Sequence, residues 1–400
     1  MTSPRSRPAP EELIPHYAHF RVGERTLLTG HSHQAWPDVG LEAQRRAWLD
    51  AAELVDDKWD AVFRKWERVA RGFSALMGDG EGDVVLGSNT HELVVRFLSA
   101  LPLGERPRIV TTDGEFHSIR RQLDRLAEEG IEVVKVPADP VDSLAERLAA
   151  QVDGGTAAVL LSAVLFETAR IVPGLERVAA ACGLHGVELL VDAYHALGVV
   201  PFTLEREGLG GAFVVGGGYK YLQLGEGNCF LRIPAGCTMR PVVTGWFSEF
   251  GTLSGERDPG RVPYGEGPAR FAGSTFDPTS CYRGAAVMDF FGEQGLTPEY
   301  LRETSRYQVN LLASTFDALD LDPRAITRDR TCPMESVGGF LALRCDEAAR
   351  AAMAVSGLRR RGVRVDARGR FVRFGPAPYL TDTRIVDAMS TLGEVMRAGT

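Results

Sequence analysis

The chain has no cysteine pair at metal or redox spacing, no basic run, and no apolar stretch of membrane-spanning length. Its six cysteines, Cys182, Cys229, Cys237, Cys281, Cys332 and Cys345, are scattered. Scattered thiols argue against a zinc site or a disulfide framework and fit reduced residues of a cytosolic protein. The eight histidines form only two close pairs, His16 with His19 and His31 with His33, so no metal is expected. Acidic residues outnumber basic ones by 53 to 45, giving a formal charge of −8. That balance argues against a nucleic-acid partner. A spanning helix needs about 20 consecutive apolar residues, and the chain offers none, so no membrane partner is expected. No charged-then-apolar leader opens the chain, and a cytoplasmic location is the expectation.

What is present is ordinary globular material. The chain has 400 residues, 44 % hydrophobic and 24 % charged, enough for two domains and a large core. Residues 1–11 are Pro- and Ser-rich and are expected to be disordered. From there, short β-branched runs alternate with helical periodicity. The runs are 83–87, 108–112, 131–137, 157–162, 187–191 and 211–215; the helical stretches include 41–77, 92–101, 119–130 and 174–184. This alternation predicts an α/β fold with a mostly parallel sheet between helices. Two further helices over 280–320, strands near 339–344 and 363–365, and a last helix over 382–397 predict a small α+β domain. The expected layout is an arm over 1–40, a large domain over 41–270 and a small C-terminal domain over 271–400. Residues 251–267, rich in Gly and Pro, read as a mobile loop.

Two of the runs end on chemistry. The run 187–191 leads into Asp192, and the run 211–215 leads through three glycines into Tyr219 and Lys220. Open α/β sheets bind ligands at the carboxyl ends of their strands. An acid and a lysine placed there suit pyridoxal 5'-phosphate: the amine forms a Schiff base with the aldehyde, and the acid keeps the pyridine nitrogen protonated. Two ordinary βα loops would carry the same pair, so spacing alone leaves both readings open. Ser88, Asn89 and Thr90 open another helix, where a polar cap and free N–H groups offer a place for a phosphate. Such caps are also simply structural.

The flanking residues carry a resemblance. Asp192-Ala193-Tyr194-His195 and Gly218-Tyr219-Lys220-Tyr221-Leu222 resemble the Asp-x-Ala-His and Ser-Tyr-Lys-Tyr-Leu segments of kynureninases, members of the class V aminotransferase superfamily. Gly245-Trp246-Phe247 resembles their Gly-Trp-Phe-Gly, and Arg373 to Tyr379 resembles their Arg-to-Tyr segment ending Pro-Leu-Tyr. Phe271 to Thr275 is similar to the superfamily's Phe-x-x-Gly-Thr turn. The resemblance implies a fold type I pyridoxal-phosphate enzyme. It implies that Lys220 carries the cofactor, Asp192 pairs with the ring nitrogen, and His195 supports the cofactor oxygen or that acid. By the same resemblance Phe116 stacks on the ring, Trp246 meets the cofactor, and Ser162 stands at a strand end where kynureninases also have serine. Asn89, Thr90, Tyr219 and Thr275 would hold phosphate. Thr275 does so in a partner subunit, implying a homodimer with the active site at the subunit interface. Arg373 would grip the substrate α-carboxylate, and His31 and Ser32 match a Gly-Asn-Ser segment near the substrate.

The resemblance implies hydrolytic Cβ–Cγ cleavage of an L-amino acid, releasing alanine. Lys220 would act as general base and be assisted by Asp192 and Tyr219. The chain departs from the pattern at His31, at Glu167, at Ala169-Arg170 and at Thr275, and His117 replaces a proline after the stacking ring. His117 is therefore a candidate acid or base. Alternatives on the same site are amino-group transfer and Cβ–S cleavage of a cysteine conjugate. Cysteine desulfuration is disfavoured, because desulfurases carry a persulfide-forming cysteine in the loop before the arginine. Here that loop is Val365-Asp366-Ala367-Arg368-Gly369. A non-catalytic cofactor sensor remains a separate class.

Overall fold

The computed structural model describes residues 8–253, 255 and 260–398; residues 1–7 and part of the 251–267 segment lie outside it. Residues 8–11, assigned by composition to a disordered start, are folded. Pro10–Leu13 is helical, and Tyr300 Oη donates to the Pro8 carbonyl at 2.8 Å. Strand β1 (Thr26–Leu27) follows. The periodic stretch 41–77 is two helices, Val39–Leu54 and Lys58–Met77. The break falls at Val55, whose φ of 52° is a conformation that a β-branched residue rarely adopts.

The βα alternation runs from β2 (Asp83–Gly87) through β3 (Arg108–Thr112), β4 (Glu132–Val136), β5 (Thr156–Ser162), β6 (Glu188–Asp192) and β7 (Phe213–Gly217) to β8 (Cys229–Ile233). Helices Thr90–Ser99, His117–Glu128, Leu144–Ala149 and Leu175–His185 link the first five of these strands in turn. The seven strands form one sheet in the order β2-β8-β7-β6-β5-β3-β4. Strands β4, β3, β5, β6 and β7 are mutually parallel; β8 returns antiparallel and carries β2 at the edge. The mostly parallel α/β sheet expected from the sequence is found.

Both faces of the sheet are covered, so its central strands are apolar throughout. Every residue of β5 is buried. Val159 and Leu161 join a core with Val69, Phe73 and Val178, while Ala158 and Leu160 join another with Leu93, Phe97, Ile119 and Leu123. The period of two sends alternate residues to opposite helix layers.

A second layer follows helices Thr279–Gln294 and Pro298–Asp317. It holds β9 (Ile326–Arg328), β10 (Leu341–Cys345), β11 (Val363–Arg364), β12 (Asp366–Arg368) and β13 (Phe371–Phe374), with helix Asp382–Ala398 last. Strands β12-β13-β10-β9 make an antiparallel sheet, and β11 pairs in parallel with β1. The N-terminal residues Leu13, Tyr17, Leu27 and Leu28 share the core of this layer with Leu358, Phe374 and Tyr379. Gly30 N–H donates to the Gly375 carbonyl at 2.9 Å, which sets His31 beside β12 and β13. No helix among the described residues is long and apolar enough to cross a membrane.

One buried ion pair locks the antiparallel edge. Arg232 on β8 is 1 % exposed; its Nε donates to Asp79 at 2.7 Å and its Nη1 to the Gly210 and Ala212 carbonyls at 2.8 Å each. Removing the cation leaves an uncompensated buried carboxylate. Arg232→Met should therefore cost about 3–5 kcal/mol. The measurement is the denaturation midpoint; an unchanged midpoint would show that Asp79 does not need its partner.

Candidate active site

Three neighbouring strands end at one place. Ser162 closes β5, Asp192 closes β6 directly across from it, and β7 runs out through Gly217 and Gly218 to Tyr219 and Lys220. Between them lies a cavity of about 320 Å³. Of the residues singled out from the sequence, Asn89, Thr90, Phe116, Ser162, Asp192, His195, Tyr219 and Lys220 all line it.

Lys220 is the centre of the arrangement. It is 5 % exposed, and its Nζ donates toward His195 Nε2 at 2.6 Å. The ammonium also stands 4.6 Å from the Tyr194 ring centre and 5.5 Å from that of Phe116. Burial pushes its pKa down to about 7, and the nearby Asp192 charge only partly opposes that. Burial likewise raises the Asp192 carboxyl, against the Tyr194 N–H that it accepts at 2.8 Å and the Lys220 charge. His195 is pushed well below its ordinary value, first by burial and then by Lys220. A neutral ring that accepts at Nε2 carries its proton on Nδ1. That Nδ1 is buried and has no protein partner among the described residues.

The helix Thr90–Ser99 presents its N-terminus to the same cavity. Asn89 Oδ1 accepts the Glu92 N–H at 2.9 Å, and its amide donates to the Glu92 carboxylate at 3.0 Å. Asn89 thus acts as the cap. The groups left for an anion are the helix N–H dipoles and the Thr90 hydroxyl, the latter 3.7 Å from Cys229 Sγ.

Glu115, beside Phe116, was not singled out by the sequence. Its carboxylate accepts Thr112 Oγ1 at 2.6 Å, Ser162 Oγ at 2.6 Å and the Ser162 N–H at 3.1 Å. Burial raises it to about 7, Asp192 adds to the shift, and these hydrogen bonds oppose it. Its only sequence signal is an acid in the short turn after an apolar strand, three residues past Thr112. Cys229, Ser118 and Glu226 also line the cavity without having been anticipated.

Arg373 on β13 is 2 % exposed and does not itself line the cavity; its hydrogen-bond partner Phe166 does. Its Nε and Nη2 donate to Asp366 at 3.0 and 2.5 Å, and its Nη1 to the Phe166 carbonyl at 2.5 Å. His31 is fully buried, with Nε2 2.7 Å from Asp366 Oδ1. Burial takes its pKa down to about 4, outweighing the Asp366 contact. Ser32 does not reach the cavity: its hydroxyl donates to the Thr29 carbonyl at 3.4 Å, and it lines a shallow cleft with Asp366 and Arg368.

Two expected residues stand apart from Lys220 within the chain. Trp246 is 43 % exposed and packs edge-on against Phe247, 4.5 Å between ring centres. Thr275 lines a second cavity of about 520 Å³, which adjoins the first through Ser88 and Gly227. His117 packs against Phe116 and Phe166 rather than lining the cavity. Arg170 is drawn away to Asp329 and Asp142, at 3.1 and 3.5 Å.

No family model matches the chain. A kynureninase of Deinococcus radiodurans is 29 % identical over 271 residues, which span 65 % of this chain and 60 % of that relative's length. The kynureninase resemblance drawn from the motifs is thus found over those 271 aligned residues. Among solved structures, a C-DES mutant with glycine covalently linked to its PLP cofactor superposes with a TM-score of 0.81 at 18 % identity. That superposition covers 95 % of this chain and 98 % of the other. An apo cysteine desulfurase from Thermococcus onnurineus NA1 gives 0.80 at 17 % identity, covering 98 % and 99 %. The chain has the fold of these proteins.

Glu115 makes the fold sensitive to pH. Between about 4.5, its ordinary value, and about 7 the folded chain keeps a proton that the unfolded chain has released. The Glu115 contribution to stability therefore falls as pH rises through that window, opposite in sign to the contributions of the buried His31 and His195. Glu115→Gln should remove this slope, so the wild type should lose stability relative to the variant from about pH 4.5 to about pH 7. Parallel stability profiles for the two would show that Glu115 titrates normally.

Proposed function

We propose that the chain is a pyridoxal-phosphate-dependent enzyme acting on an L-amino acid, and that its reaction is hydrolytic Cβ–Cγ cleavage of a kynurenine-type ketone. The observation that carries the proposal is Lys220: a buried amine whose pKa is lowered to about 7, at the wall of a cavity one strand from a buried carboxylate.

The residues present fit the cofactor. A cavity of about 320 Å³ falls in the roughly 300–1,000 Å³ range of small-molecule sites. The helix N-terminus at Thr90 suits a phosphate, Asp192 suits a ring nitrogen, and the unpartnered His195 Nδ1 suits a cofactor oxygen. When bound, the cofactor supplies an aldehyde for the amine and a protonated ring that withdraws electrons from the substrate.

The protein's own groups do the rest. Lys220, with a pKa of about 7, is a competent base near neutral pH and takes the substrate α-proton. His195, neutral through burial, accepts the Lys220 hydrogen bond without adding a competing charge. Asp192 supplies the negative charge in a site with little water to screen it. Phe116 offers a flat apolar face 5.5 Å from Lys220 Nζ. Arg373 binds the α-carboxylate and so sets which Cα bond faces Lys220. The Tyr219 ring closes another wall, 5.0 Å from Tyr194.

Desulfuration is a weaker reading. The segment before Arg373 carries Asp366 and no cysteine. Cys229 lines the cavity, but burial raises its pKa, and it contacts Tyr194 Oη at 3.5 Å, so it is a poor nucleophile. The homodimer belongs to the same proposal. Trp246 and Phe250, 43 % and 51 % exposed, and Thr275 at the adjoining cavity form the face a second copy would cover.

Borohydride reduction of the cofactor-loaded protein should fix the label on Lys220, as read by peptide mapping; label on another lysine rejects the site. Arg373→Lys keeps the charge and loses the fork. It should weaken amino-acid binding by about 1.5–3 kcal/mol while cofactor loading stays constant. Product analysis decides the reaction. A hydrolase releases alanine and an aromatic acid one-to-one, with no 2-oxo acid. Pyruvate with ammonia would replace this reading with a β-lyase, and strict dependence on a 2-oxo acid with an aminotransferase.

A further inference from the structure

We infer that Asp366 is a positioning residue for substrate recognition: it holds one edge of the Arg373 guanidinium so that the other edge meets a carboxylate. This rests on the proposed role of Arg373. A guanidinium has five N–H donors in a fixed plane. Among the described residues Arg373 uses three of them. Nε and one Nη2 hydrogen go to the two oxygens of Asp366, and one Nη1 hydrogen goes to the Phe166 carbonyl. One N–H is left on each terminal nitrogen. Where the Phe166 carbonyl takes the Nη1 hydrogen on the Cδ side, those two form the pair that grips a carboxylate end-on. Asp366 therefore adds to a substrate carboxylate rather than excluding it.

The clamp is itself fixed. Asp366 stands opposite Arg373 in the β12–β13 register, so the backbone sets their approach. On its far side Oδ1 accepts from His31 Nε2 at 2.7 Å, and His31 is fully buried between β12 and the Phe340 ring, 4.6 Å away. Arg368 Nη2 lies 3.7 Å from Oδ2. Burial opposes the Asp366 charge, but His31 and Arg373 outweigh it and hold the carboxyl well below its usual range. The pair Arg373–Asp366 is thus neutral when no substrate is present, and the buried cation is never left unpaired. Recognition of the incoming carboxylate then depends on the direction of the free edge rather than on net charge.

The test is Asp366→Asn in the cofactor-loaded protein. Asparagine keeps the shape but turns an amide N–H toward Nη2, so the fork rotates off its edge. KM for the amino-acid substrate should rise about ten- to a hundredfold, the scale of one charge-assisted hydrogen bond, with kcat changed far less. Binding of the matching amine, which lacks the α-carboxylate, should not change, whereas a general loss of structure would weaken both ligands. An unchanged or lowered KM overturns the inference; a lowered one would make Asp366 a competitor for Arg373. If Asp366→Asn does not fold, His31→Phe removes the other partner of Asp366 and should raise KM in the same direction by a smaller factor. No rise there overturns the inference too. Arg373→Lys run in parallel separates the two ideas. If it erases the preference for amino acid over amine while Asp366→Asn does not, only the clamp fails. If it leaves that preference intact, the carboxylate reading fails and takes the clamp with it.

Discussion

The burial of one amine organises this molecule. Lys220 sits beyond the end of β7 where water is excluded, and an ammonium there is costly. The site answers with three measures: the His195 ring at 2.6 Å, the Asp192 charge at the next strand end, and the faces of Tyr194 and Phe116. Each depends on sheet register. Ser162 faces Asp192 across β5 and β6, and Asp192 faces Val215 across β6 and β7. A one-residue slip would turn these side chains to opposite faces. The continuous apolar strands that make the sheet also fix the chemistry at its edge.

What could be read in the sequence was what is local. Apolar runs that stop at an acid or a lysine announce strand ends, and eight of the expected residues meet in one cavity. What escaped depends on contacts between distant parts of the chain. Glu115 looks like any loop acid until Ser162, 47 positions on, is placed against it. Asp366 drew notice only as a position without cysteine, because its partners are Arg373 across a hairpin and His31, 335 positions earlier. Asn89 was correctly placed at the cavity, but a cap residue turns its side chain back onto its own helix. Thr275 was read from a motif that implies a second subunit, and within one chain it lines the adjoining cavity; Trp246, read as meeting the cofactor, packs on Phe247 of that cavity's wall.

The same fold is shared with a cystine C–S lyase and a cysteine desulfurase at 17–18 % identity, whereas a relative at 29 % identity is a kynureninase. A fold carries many chemistries, and the differences lie in site residues. In this chain the departures from the kynureninase pattern have their own partners: His31 is buried on Asp366, and Arg170 is tied to Asp329. Ser162, Asp192, His195, Tyr219 and Lys220 line one cavity.

The pairing of β1 with β11 has a consequence for how the protein is made. Thr26 meets Val363, and Gly30 meets Gly375, so these two stretches pair with residues made much later in synthesis. The sheet with Asp192 and Lys220 is contiguous in sequence and can form while synthesis continues. The layer around Arg373 cannot, because His31 has nothing to bind until Asp366 has emerged. Contacts of such long range form slowly, since the loop between them must close first. During that interval Leu13, Tyr17, Leu27 and Leu28 are without their core, and the nascent chain exposes them to chaperones and to other chains.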